Sequence, residues 1–237
     1  MPPHAFPAPA GAAGLDVTLC GERVVLHAGR ALHWPAAATL FVADVHLGKA
    51  AAFRAAGVPL PRGSTQADLA RLAALLAQTE ARRLVVLGDF LHAKAGRVAA
   101  LDAAFGAWRA AHAHVDLVLV RGNHDARAGD PPAGWGATVV DEPFLAAPFL
   151  ACHAPVTPPT GYALCGHLHP GVRLTGTADA SRLPCFVLGA RRAILPAFGR
   201  FTGLALVSPE PGERLVAVAG ARLFPLPPAA RRQADAE

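Results

Sequence analysis

The chain has 237 residues, 53% of them apolar and 16% charged, a balance that suits one large folded domain and excludes intrinsic disorder. No apolar run reaches the ~18 residues that a membrane span requires. A formal charge of +5 and a pI near 9.6 permit an anionic partner such as nucleic acid, but twenty arginines against two lysines, in no run longer than two, fit a compositional bias as well.

Residues 1–14 are rich in Pro, Ala and Gly and carry no Lys or Arg. They lack the charged start and leucine-rich middle of a signal peptide and are expected to form a flexible tail. Asp16 to Cys20, Arg23 to His27 and Ala31 to Trp34 are short apolar runs punctuated by Gly21 and Gly29, the pattern of a β-meander. Thr39 to Ala43 is apolar throughout, as a strand covered on both faces should be. A short helix is expected over Lys49 to Gly57, and a loop over Val58 to Gly63, which holds Pro59 and Pro61. Thr65 to Ala77 places Leu69, Leu72, Leu75 and Leu76 on one helical face. Arg83 to Leu87 reads as the next buried strand. Arg97 to Ala113 reads as a helix with Val98, Leu101, Phe105 and Trp108 on its core side. Val115 to Val120 is a third strand.

Strand, helix, strand, helix, strand is how a parallel sheet is built. A loop is expected from Ala126 to Gly136, and beyond Ala137 helical periodicity disappears. Short strands are expected at Phe149 to Cys152, Tyr162 to Cys165, Val172 to Thr175, Cys185 to Leu188, Ala193 to Leu195, Leu204 to Val207 and Leu215 to Val218. This half should be mostly antiparallel. The expected fold is therefore α/β (α+β): a single domain over residues 15–226 in which two sheets pack face to face, flanked by helices. Residues 227–237 should be a second flexible tail. Cys20, Cys152, Cys165 and Cys185 contain no C-x-x-C, so free thiols and a cytoplasmic protein are expected.

Five segments place ligand-type side chains just after an apolar strand: Asp44-x-His46, Gly88-Asp89, Gly122-Asn123-His124-Asp125, Cys152-His153 and Gly166-His167-x-His169. Each alone has an ordinary explanation, such as a turn, a helix cap or a core histidine. Together, in this order, they point to one site at the carboxyl ends of the strands. Imidazole with carboxylate suits borderline divalent ions such as Mn²⁺, Fe²⁺ or Zn²⁺. Two ions roughly 3.5–4 Å apart need a bridging carboxylate, and Asp89, on the middle strand, is the natural one. Asn123 supplies a neutral oxygen, which limits negative charge near a phosphate. His124 is placed to protonate a leaving oxygen, and Asp125 to orient its ring.

This ordered set resembles the calcineurin-like metallophosphoesterases, over roughly residues 39 to 190. The resemblance implies a β-sandwich flanked by helices. It also implies one metal on Asp44, His46, Asp89 and His169, and a second on Asp89, Asn123, His153 and His167, with His124 as the catalytic histidine. One departure stands out. Many members carry an acidic or amide residue three positions after the bridging Asp, where this chain has His92, retained here as a further candidate catalytic residue.

Val42 to Pro61, Gly88 to Lys94 and Gly166 to Pro170 look like the ligase-associated DNA damage response endonucleases within that family. That narrower resemblance implies a Mn²⁺-dependent phosphodiesterase acting on DNA, in a repair set with an ATP-dependent ligase, an exonuclease and a helicase. Lys49, Arg54, Arg62, Lys94, Arg121 and Arg127 are the candidate phosphate contacts, with solvated charge as their ordinary explanation and a structural ion pair as a second role for Arg121. Two other readings stay open on the sequence: a hydrolase of small phosphodiesters such as cyclic nucleotides, and a non-catalytic repair scaffold. Intact ligand positions argue against the scaffold.

Overall fold

The computed structural model describes residues 13–61, 63–175 and 180–227. Arg62 and most of both expected tails lie outside them. The chain opens with the meander β1 (Gly14–Leu19), β2 (Glu22–His27) and β3 (Ala31–Trp34), then β4 (Thr39–Val42), α1 (Lys49–Ala55), α2 (Ser64–Thr79), β5 (Arg83–Leu87), α3 (Ala99–Ala111), β6 (Asp116–Val120), α4 (Asn123–Ala128) and β7 (Ala137–Val140). The strands form one sheet in sequence order. Pairing is antiparallel from β1 to β4 and parallel from β4 to β7.

The second sheet follows with β8 (Phe144–Ala146), β9 (Phe149–Ala151), β10 (Tyr162–Cys165), β11 (Pro170–Thr175), β12 (Ala180–Leu188), β13 (Arg192–Ile194), β14 (Ala205–Leu206), β15 (Arg214–Ala219) and β16 (Arg222–Pro225). Five of its eight strand pairings are antiparallel. The other three are parallel: β11 with β14, and β10, which leads into a ligand segment, with both β9 and β13. β7, β8 and β16 carry no strong alternation and were not expected as strands; pairing to better-defined neighbours makes them.

Side-chain alternation explains the layering. In β4, Phe41 faces the second sheet with Phe149, Tyr162 and Phe186, whereas Leu40 and Val42 face the helices. Leu69, Leu72, Leu75 and Leu76 of α2 and Leu101, Phe105 and Trp108 of α3 complete that outer layer. Burying each such side chain contributes about 1.5–3 kcal/mol. Val98, expected in the same row, is instead the exposed residue just before α3. Asp68, one residue before the first leucine of α2, is buried among them. All four cysteines are free thiols. No described helix is long and apolar enough to cross a membrane.

Candidate metal centre

Parallel pairing sends the carboxyl ends of β4, β5 and β6 to one edge, and those of β9 and β10 likewise. The two edges meet where Ala43 bridges to Ala197 and the Phe198 amide donates to the Ala43 carbonyl at 2.7 Å. Immediately past the strands the backbone turns left-handed. Asp44 (φ 54), His46 (φ 51), Asp89 (φ 52), His167 (φ 72) and His169 (φ 49) make up half of the ten described non-glycine residues with positive φ. That region costs an L-residue on the order of 1 kcal/mol or more, less for Asp and His than for most. Here it is offset by cross-loop hydrogen bonds. The His46 amide donates to the Asp89 carbonyl at 2.8 Å and the Asp44 amide to the Gly88 carbonyl at 3.1 Å. The His124 amide donates to Asp89 Oδ1 at 2.9 Å, and the His167 amide to Asp44 Oδ2 at 2.9 Å.

Two glycines make the close approach possible. A Cβ on Gly88 would lie 2.1 Å from His153 Nδ1, and one on Gly122 would lie 2.3 Å from Asp89 Oδ1. Only hydrogen fits at either place.

The expected ligands assemble into two groups. Asp44, His46 and His169 offer atoms within 4.8 Å of one another, and so do Asp89, His153 and His167. His153 Nε2 is also 2.9 Å from Asn123 Oδ1. Asp89 faces both groups, with Oδ2 3.8 Å from His46 Nε2 and Oδ1 3.5 Å from His153 Nε2. The nitrogen pairs test whether metals fit. His46 Nε2 and His169 Nε2 are 3.3 Å apart, and His167 Nδ1 and His153 Nε2 are 3.0 Å apart. Two ligands each about 2.0–2.1 Å from one ion stand about 3 Å apart, so these separations suit lone pairs converging on shared cations.

Tautomers are set from outside the groups. His153 Nδ1 lies 3.1 Å from the Leu87 carbonyl, so it carries the proton and leaves Nε2 free to ligate. Burial, with Lys49 and neighbouring imidazoles adding to it, holds His46 far below the usual histidine range and keeps it neutral. Glu142, which gave no signal in the sequence, accepts from the His153 and Ala154 amides and fixes the turn that presents His153.

His124 stands at the rim, a third exposed, with Nε2 4.0 Å from Asp89 Oδ2. Its Nδ1 is 2.7 Å from the backbone carbonyl of His92. The two rings stack at 4.9 Å, and Phe53 also stacks on His92, at 5.8 Å. His92 thus sits in the centre. Burial, then Lys49 and His124, lower its imidazole to about 4, so it is neutral at pH 7.

The orienting role expected of Asp125 falls to that His92 carbonyl. Asp125 is fully buried and accepts from the backbone amides of Phe90, Leu91 and Gly122 at 3.2, 2.8 and 3.0 Å. Its carboxylate accepts from the amide of the N-cap residue Gly122, which closes the first turn of α4, and ties that turn to the loop after β5. Gly122-x-x-Asp125 is a legible cap pattern, overshadowed in the sequence by the ligands inside it.

Of the two roles open to Arg121, the structure shows the ion pair. Its guanidinium joins Asp130 at 3.0 Å and also pairs with Asp141. Lys49 is half-buried in the field of Asp89 and Asp44, and its ammonium lies 6.0 Å from the Phe53 ring. Arg54 is exposed and reaches the carbonyls of Leu60 and Pro61, while Lys94 and Arg127 are exposed.

The fold and this constellation define a class, and comparison with known proteins agrees. The chain belongs to the calcineurin-like phosphoesterase family, which it matches over residues 38–169, from the edge of β4 to the last candidate ligand. It is a metal-dependent phosphoesterase. Among solved structures it is similar to the nuclease MPE of Pseudomonas putida, with 42% identity, a TM-score of 0.80, and coverage of 90% of this chain and 100% of that one. Yfce, a phosphoesterase from E. coli, aligns at 16% identity and a TM-score of 0.37, over 77% of this chain and 88% of its own. No curated protein matches the chain.

Proposed function

We propose that the chain hydrolyses phosphodiester bonds in DNA using two divalent ions, Mn²⁺ foremost. The observation that carries this reading is Asp89 facing both ligand groups at once, with His124 beside it at an accessible rim. Asp44, His46, Asp89 and His169 would hold one ion, and Asp89, Asn123, His153 and His167 the other. When bound, the ions would supply a nucleophile at neutral pH and offset charge on the phosphoryl group.

The chain's own residues do the rest. His124, with Nδ1 donating to the His92 carbonyl, presents Nε2 to the substrate, where the imidazolium form would give up its Nε2 proton to the leaving oxygen. The stacked rings of His92 and Phe53 hold the imidazole against rotation. Lys49 adds positive charge where a phosphate would approach.

DNA as the substrate is supported by the likeness to a nuclease at 42% identity over 90% of the chain and by the exposure of His124 and His167. The same reading extends to cytoplasmic DNA repair alongside an ATP-dependent ligase, an exonuclease and a helicase. A panel assay tests it: purified protein with Mn²⁺, Mg²⁺ or Zn²⁺ on a chromogenic phosphodiester, a cyclic nucleotide, and nicked, blunt and flapped DNA. Manganese-dependent DNA cleavage is expected. Turnover of the cyclic nucleotide with every DNA intact would overturn the reading in favour of small phosphodiesters.

A further inference from the structure

A second cluster of charge sits at the same end of the molecule, outside the metal centre. The β2–β3 hairpin turn, α2 and the segment after Phe198 border an open-sided cavity of about 460 Å³ lined by Arg30, Arg71 and Arg200, with His27, Leu75 and Val218 among its other walls. That is the size of a small-ligand site rather than a single-water void.

Its charge is not balanced. Asp68 is the one carboxylate described against the three guanidiniums. It lies 3.0 Å from Arg71 Nη2 and 4.0 Å from Arg200 Nε, and it accepts from the Arg200 amide at 3.2 Å. Arg30 spends a nitrogen on the Ala197 carbonyl at 3.1 Å. Arg71 donates to the Phe198 carbonyl and stacks on that ring at 4.1 Å, yet its Nε is buried with no partner among the described residues. His27, 6% exposed, is also partnerless at Nε2. A buried donor without a partner costs roughly 1–3 kcal/mol. Arg71 Nε is one such donor, and the three guanidiniums around the cavity carry a surplus of two positive charges over Asp68, which calls for an anion. Burial, opposed by Asp68 and reinforced by Arg30 and Arg200, lowers Arg71 to about 10.

The geometry points to this cavity as a second phosphate-binding pocket, in which Arg30, Arg71 and Arg200 receive a phosphate monoester or diester. Guanidinium forks match phosphate oxygens in pairs. The place matters as well. Leu32 pairs with Phe41, so the hairpin turn before β3 lies at the edge where β4 delivers Asp44. Two strand spacings, on the order of 10 Å, separate that turn from β5. The wall is also the ligand's own support, because the Gly199 amide donates to the Asp44 carbonyl at 3.0 Å. An anion seated there lies beside the metal centre without entering it. The pocket stands on its own geometry; its use by a DNA strand rests on the proposed nuclease activity.

The test titrates inorganic phosphate into the full chain by calorimetry, with Mn²⁺ and again in chelator, where the metal centre cannot compete. Wild-type protein is expected to keep a saturable phosphate-binding component in chelator. Arg200→Ala, and Arg200→Ala with Arg30→Gln, should weaken that component tenfold or more. Arg200 is more than half exposed, so the single variant carries the test if the double one does not fold. A labelled single-stranded oligonucleotide then identifies the source. Weaker oligonucleotide binding with a salt slope reduced by about 1 marks a strand phosphate. Unchanged oligonucleotide binding with phosphate binding lost marks a free phosphorylated ligand. Phosphate binding in chelator that is absent in wild type, or equal in the Arg200→Ala protein, would refute the pocket, and neither result depends on whether DNA is cleaved.

Discussion

At the scale of single residues, Asp89 and His124 have separable duties. Asp89 faces both ligand groups, so Asp89→Asn exchanges a bridging carboxylate for a neutral amide of the same size. Manganese-dependent hydrolysis should fall at least ~100-fold, with melting temperature little changed. Wild-type activity in that protein would remove Asp89 from the bridge. His124 is argued to protonate the leaving oxygen, a role worth about 10²–10⁴-fold. A nitrophenolate leaves without help, whereas a deoxyribose alkoxide does not. His124→Ala should therefore lose much more rate on DNA than on a chromogenic aryl phosphodiester, as comparison of kcat on the two substrates will show. Equal losses would point instead to phosphate binding.

At the scale of elements, the centre depends on loops locked to one another. Asp125 carries that lock, since one carboxylate satisfies amides from the loop after β5 and from the start of α4. Asp125→Ala strands three amides and should cost about 3 kcal/mol or more in urea unfolding, whereas a surface carboxylate would cost almost nothing. Gly122 plays the complementary part. A methyl group there meets Asp89 Oδ1 at 2.3 Å and the Asp89 amide at 2.4 Å. Gly122→Ala should weaken Mn²⁺ affinity at least tenfold, read by metal titration, because Asp89 must move to admit it. The pairing of β9 with β10 belongs to this scale too. Antiparallel strands would send His153 and His167 to opposite edges; parallel ones bring them to 3.0 Å.

At the scale of the molecule, the first sheet is covered on both faces, and titratable groups buried on the face away from the second sheet make stability depend on pH. His27 is 6% exposed and its imidazole is lowered from 6.5 to about 4, by burial first, then His33, with Asp16 opposing. His33 is lowered as well, by burial and by Arg23. Between pH 6.5 and 4 the unfolded chain takes up a proton at His27 that the folded chain refuses. Protons then favour unfolding, so this contribution is fully present above pH 6.5 and is lost as pH falls toward 4, by up to roughly 3 kcal/mol. In phosphate-free buffers the melting temperature should drop across that window. His27→Gln should drop less, and parallel curves for the two proteins would exclude His27 as the cause.

Much of this was legible in the linear chain because its signals are local. The apolar run of Thr39 to Ala43, the leucine face of α2 and the five ligand segments after strands each depend on neighbours in sequence, and each was found where expected. The roles of Asp125 and Arg121 were not legible, because a carboxylate beside a histidine and an arginine before a glycine look the same whether they serve chemistry or backbone. Their partners, Leu91 and Asp130 among them, are chosen by the fold. The same holds for Glu142 and for the arginines around Asp68, scattered from residue 30 to residue 200. The sequence by itself determined the family, the sandwich and which strand ends carry ligand-type side chains. Only the tertiary structure decided which strands run parallel, which carbonyl holds His124 and where unbalanced charge collects, because those are outcomes of long-range pairing and burial.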